Sequence, residues 1–128
     1  MTYYFSKTVD LSQEEAIEKV TEELKKDGFG ILTEIDVKAT LKKKLDVDFR
    51  NYMILGACNP PFAHEALKSE RMIGLMLPCN VVVQETDDGR TEVSAIDPMA
   101  SMQAVENAKL GEIAEEVRSK LEAVINRL

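Results

Sequence analysis

Tyr3, Phe5 and, past Lys7, Val9 alternate with polar neighbours, the period-two pattern of a half-buried strand. The period then lengthens to that of a helix, with Ile17, Val20 and Leu24 on one apolar stripe. Its start is written in Leu11-Ser12-Gln13-Glu14-Glu15-Ala16: Ser12 and Glu15 can form a capping box, and Leu11 can staple onto Ala16. Gly28 is placed to end this helix, since glycine readily takes the left-handed conformation that closes many helices. A second strand follows, with Phe29, Ile31, Thr33, Ile35 and Val37 expected on one face. Asp36 can cap a short helix reaching about Leu45, in which Val37, Leu41 and Leu45 recur at four-residue steps.

Tyr52–Cys58 is almost continuously apolar, as a central strand with two covered faces would be. Asn59-Pro60-Pro61 ends it, because proline has no N–H for an interior ladder, and the same prolines suit the first turn of a helix covering about Phe62 to Glu70. Cys79–Thr86 and Thr91–Asp97 flank Asp87-Asp88-Gly89-Arg90 and read as a hairpin that Pro98 closes. Val105, Ala108, Ile113, Val117, Leu121, Val124, Ile125 and Leu128 predict an amphipathic helix from about Met102 onward. Gly111 inside it costs about 1 kcal/mol relative to alanine and points to close packing there. No repeat or linker interrupts the pattern, so residues 1–128 are expected to form a single α+β domain. The expected architecture is a two-layer sandwich, a mainly antiparallel sheet with helices on one face, in the order β-α-β-α-β-α-β-β-α. Ile54, Leu55, Val82, Ile113, Val117 and Leu121 are its expected core.

Composition changes this picture only by exclusion. Sixteen Lys and Arg against 23 Asp and Glu leave a net charge of −7, which argues against a nucleic-acid backbone as partner, since such binding needs a basic face. The most apolar run, Ile73 to Val83, is broken by Pro78 and Asn80 and falls far short of the roughly 20 residues that span a bilayer. No charged stretch followed by an apolar run marks a secretory signal at Met1–Lys7, so a cytoplasmic protein is expected, with Cys58 and Cys79 as free thiols.

Zinc-ligand spacing, a phosphate-cradling glycine loop and a nucleophile elbow are all missing from the sequence. The candidate chemistry lies instead in Cys58, His64, Cys79 and Asp97. Cys58 closes the third predicted strand and Cys79 opens the fourth. If those strands are antiparallel, both thiols lie at one sheet end, to which the hairpin returns Asp97. His64, the only histidine, stands about one turn into the helix beyond Cys58. Asn59 and Asn80 each follow a cysteine and join the candidate ligand-binding set. An imidazole near a thiol at a helix start favours a reactive thiolate. Cys58, Cys79 and His64, with Met99, would also suit a soft ion such as Cu(I) or Zn²⁺. The plainer reading is that both cysteines are packed, since free cysteine is among the most buried residue types. Lys42-Lys43-Lys44 reads as a solvated helix face, and Met72, Met76, Met99 and Met102 read as adaptable packing.

Three segments carry a resemblance: Gly28–Val37, Leu55-Gly56-Ala57-Cys58-Asn59-Pro60 and Leu77-Pro78-Cys79-Asn80-Val81-Val82-Val83. They resemble domain-of-unknown-function family 302, and the likeness runs on through Ala95-Ile96-Asp97-Pro98 into the last helix. The resemblance implies a small bacterial or archaeal α+β domain, antiparallel sheet backed by helices, often dimeric, with no activity or cofactor to carry over. Cys58, His64, Cys79 and Asp97 fall in or beside its signature segments. The functional expectation is a rim pocket at these residues that binds a small ligand or a soft metal, or does thiol chemistry. Two alternatives stand beside it: a non-catalytic homodimeric interaction module with packed cysteines, and a hydrolase or transferase using Cys58 with His64. A symmetric homodimer is the expected assembly, since two-fold pairs are the commonest soluble homo-oligomers, and neither nucleic acid nor membrane is an expected partner.

Overall fold

The structure, a computed structural model, describes residues 2–128. Strands β1 (Tyr4–Val9), β2 (Gly30–Asp36), β3 (Tyr52–Cys58), β4 (Cys79–Glu85) and β5 (Thr91–Ile96) form one sheet in the order β1-β5-β4-β3-β2. Every neighbouring pair is antiparallel. Between and after them run α1 (Gln13–Lys26), α2 (Val37–Leu45), α3 (Pro60–Ser69), α4 (Pro98–Ser101) and α5 (Ala108–Asn126), with a 3₁₀ turn at Ile73–Met76. The fold is α+β in the expected order, with α4 and the 3₁₀ turn added. Among the described residues no helix is long and apolar enough to cross a membrane.

Local signals set several of these elements. Ser12 Oγ accepts from the Glu15 N–H at 3.1 Å while the Ser12 N–H donates to Glu15 Oε1 at 3.0 Å, closing the capping box of α1. Gly28, at φ +85°, turns the chain out of that helix. Asp36 caps α2 by accepting from the Ala39 N–H at 2.9 Å. No residue of α2 is buried, and Lys42, Lys43 and Lys44 are exposed, as a solvated face requires.

The core lies on one sheet face. Leu55, Val81, Val83, Val93 and Ala95 pack against Val20 and Leu24 of α1 and Leu121, Val124 and Ile125 of α5. Alternate residues therefore point away from these helices. This corrects two expected core positions: Ile54 and Val82 lie on the other face and are only half-buried. Ile113 is half-buried at the edge of the core, while Leu55, Val117 and Leu121 are buried.

Two further expectations are corrected. The last long helix begins at Ala108, not at Met102, because two caps divide the segment. Asp97 accepts from the Met99 N–H to start α4, and Asn107 accepts from the Leu110 N–H to start α5. Gly111 marks no close packing, since a Cβ there would meet nothing within 4 Å. In β2 the single apolar face is broken by a bulge: Ile31 pairs with Ala57 and Thr33 with Gly56, leaving Leu32 without a partner. Phe29 precedes the strand and Val37 already belongs to α2. The register brings Thr33 over Gly56, where a Cβ would overlap Thr33 Oγ1.

Candidate functional site

At the sheet end where β3 stops and β4 starts, α3 and the first half of α5 leave a cleft of about 270 Å³. Ala57 pairs directly with Cys79, and Cys58 is the next residue along β3. Both cysteines border the cleft, together with Asn59. The two helices face each other there with small side chains, Ala63 and Ala66 on α3 and Ala114 on α5. That leaves room between them which larger residues would fill. Val117 and Ile113 border the space from α5, Phe62 and Leu67 from α3, and Pro98 from α4. Leu32, freed from the ladder by the bulge and 66% exposed, stands at the mouth. None of the lining residues is charged.

The polar groups of the cleft differ in their commitments. The Asn59 amide is buried and its Nδ2 donates to the Asp27 carbonyl at 3.1 Å, tying the β3–α3 corner to the end of α1. Cys79 is 9% exposed, and burial, with a smaller contribution from Cys58 beside it, pushes its thiol up to about 11. At neutral pH Cys79 is therefore a protonated thiol, a poor nucleophile and a poor metal ligand until deprotonated. Cys58 is half-buried.

The other sequence candidates stand elsewhere. On α3 the cleft takes Phe62, Ala63, Ala66 and Leu67, one stripe at three- and four-residue steps. His64 falls off that stripe and is exposed, near the Glu65–Lys68 ion pair of the outer face. Asn80 follows Cys79 in an extended strand and so lies on the opposite sheet face. There it lines a shallow trough with Tyr52, Val82 and Ser94. Asp97 is buried near the cleft but is engaged twice, by the Met99 N–H at 3.0 Å and by Arg118 Nε at 3.1 Å. Its carboxylate joins α4 to α5 and does not line the space. The structure thus brings together Cys58, Asn59 and Cys79 and leaves His64, Asn80 and Asp97 outside. Among the described residues no three His, Cys, Asp or Glu side chains converge as a metal site would need.

The residues that sequence reasoning missed are the apolar ones. Phe29, Leu32, Phe62, Leu67 and Pro98 carry no chemical signature. The alanines of α3 and α5 are a faint signal, since small residues on two facing helices can leave space. The helices' partnership, however, is not written in either of them.

Comparison with known proteins places this geometry in a family. A family model described as Domain of unknown function DUF302 matches residues 5–128. A crystal structure of an uncharacterized conserved protein DUF302 from Bacillus stearothermophilus superposes with a TM-score of 0.92 at 30% identity, covering 99% of this chain and 98% of that one. No curated protein matches the chain. The chain belongs to the DUF302 family.

Proposed function

We propose that this protein binds a small, largely apolar molecule in the cleft between α3, α5 and the end of the sheet. The observation that carries the reading is the lining itself: about 270 Å³ of space bounded by uncharged, mostly apolar side chains, with two cysteines and one already engaged amide as its only polar groups. Ligand pockets are generally concave and mostly apolar, with few polar groups to fix orientation. A dry apolar cavity of about 150 Å³ holds benzene, so this space suits a ligand of roughly ten non-hydrogen atoms. The readings that need His64 draw less support, because His64 is exposed and off the lining stripe. A soft ion would meet Cys58 and Cys79 and no third His, Cys, Asp or Glu among the described residues.

The test is a titration with 1-nonanol, followed by calorimetry and by amide shifts. Saturable one-to-one binding with a negative heat-capacity change is expected, with shifts confined to Ala57, Ala66, Val117 and their neighbours. Ala63→Phe fills the space and should weaken binding about tenfold, as keeping about 50 Å² of the ligand's apolar surface in water would do. Shifts spread over both sheet faces, or no saturation, would reject the reading.

A further inference from the structure

We propose that the sheet face turned away from α1 and α5 is the contact between two copies of this chain, related by a two-fold axis along β4. The strand register sets the two middle rows of that face. In one row Ser6 and Ser94 stand on the β1–β5 side of Val82, and Ile54 and Ile35 on its β3–β2 side. In the next row Tyr4 and Ile96 stand on the first side of Asn80, and Gly56 and Thr33 on the second. Neither row carries a charged residue, although 30% of the chain is charged. Loss of charge at the centre of an exposed patch, with tyrosines beside it, is the composition of a protein interface.

Shape and charge both select a second copy as the occupant. β4 is the middle strand of the sheet, so half a turn about it lays β3 of one copy over β5 of the other, and β2 over β1. Ile54 and Ile35 then stand opposite Ser94 and Ser6, while Ile96 and Tyr4 stand opposite Gly56 and Thr33. Each bulky side chain meets a smaller one, as interdigitating sheet faces require. A trough of about 310 Å³ over Val82 and Ser94, bordered by Tyr4 and Tyr52, receives Ile54 of the other copy. At the hairpin end of the face, Gln84 on β4 accepts from Arg50 Nε at 3.1 Å and Nη2 at 3.0 Å, and its amide donates to Glu92 at 3.4 Å. Positive charge thus lies on the β3 side of the axis and negative charge on the β5 side. Neither Arg50 nor Glu92 has an ion-pair partner among the described residues. The two-fold sets Arg50 of each copy over Glu92 of the other. With strands about 4.8 Å apart and a rise of about 3.4 Å per residue, the face measures roughly 24 by 20 Å, so two copies cover about 1,000 Å² together. That is the lower limit for a specific interface, so association is micromolar or weaker and the face is open in the dilute chain.

The experiment is sedimentation velocity on the native chain, Glu92→Arg and Arg50→Glu, alone and mixed, from about 1 to about 500 μM. The native chain should pass from monomer to dimer across that range. Each variant alone sets like charges opposite one another twice and should associate at least about tenfold more weakly. An equimolar mixture of the two variants should recover the native affinity, because both contacts are again between opposite charges. The chain carrying both substitutions should dimerise by itself. Ser94→Trp, which changes no charge, fills the trough and should block dimerisation. Native-like melting transitions of the dilute variants exclude a folding defect. A native chain that stays monomeric throughout, or a dimer untouched by the single variants, would overturn the proposal. So would a mixture that associates no more tightly than its components.

Discussion

A methyl group added at Gly56 would overlap Thr33 Oγ1 and stand 2.7 Å from Pro78 Cγ, whereas one added at Gly111 would meet nothing within 4 Å. The two glycines therefore have opposite expected responses to alanine. Gly56→Ala must push apart β2 and the Pro78 turn and should lower stability by about 1–3 kcal/mol, the usual cost of overpacking. Gly111→Ala only removes backbone freedom in a helix and should raise stability by about 0.5–1 kcal/mol. Chemical denaturation of both variants checks the pair; equal destabilisation would mean that Gly111 packs against something. The contrast was not legible in the sequence, where only Gly111 stood out, because crowding at Gly56 comes from residues 23 and 22 positions away. Caps were legible at this scale. Ser12, Glu15 and Asp36 act on N–H groups three residues away, so their neighbours in the chain are their partners in space. Asn59 was legible as a candidate but not in its work, which is done on the distant Asp27 carbonyl.

Between elements, the ends of α1 and α5 are joined by charge. Glu23, 6% exposed near the end of α1, holds Lys26 Nζ at 2.8 Å and Arg127 Nε at 2.7 Å, while Arg127 Nη2 reaches Asp27 at 2.8 Å. The Lys26 and Arg127 hydrogen bonds bring the Glu23 carboxyl down from 4.5 to about 2. A carboxylate depressed on folding stabilises the native state fully above its unfolded value and loses that contribution as it becomes protonated. The native chain should thus exceed Glu23→Gln in stability at pH 7, with the gap closing between about pH 4.5 and pH 2. Melting curves across that range test this; a gap constant with pH would place the effect outside the ionisation of Glu23. The same scale explains the misplaced start of α5. Apolar periodicity runs through Met102 and Val105, but Asp97 and Asn107 each offer a cap, and the chain uses both. Periodicity reports which residues would share a face and is silent on where the backbone turns between two such signals.

For the whole molecule, the decisive asymmetry is that α1 and α5 cover one sheet face. Leu121 is fully buried against that face, and Val82 lies on the other and is half-buried. Leu121→Asp would bury an unpaired charge and should cost several kcal/mol, enough to unfold a marginal domain. Val82→Thr, of similar shape and with its hydroxyl near solvent, should cost less than about 1 kcal/mol. Thermal melts of the two variants test the assignment, and a severe loss in Val82→Thr would mean that the open face is covered in solution.

What the chain's own pattern determined is local or statistical: the five strands and the longer helices to within a few residues or one turn, the N-caps of α1 and α2, the β4–β5 hairpin and the α+β class. Periodicity and capping act over two to four residues, so the information and its effect lie in the same stretch. Cys58 and Cys79 could be placed at one sheet end because a single antiparallel pairing suffices to bring them there. The strand order, the bulge at Leu32 and the choice of which face α1 and α5 cover were decided only by tertiary structure, since each depends on contacts between segments far apart in sequence. The cleft belongs to that second class. Its walls come from β2, β3, β4, α3, α4 and α5, and its volume exists because alanines on two helices meet where larger side chains would have closed it. The same packing left His64 outside, since rotation of α3 about its axis is set by which of its residues the core accepts, a condition no spacing in the sequence expresses.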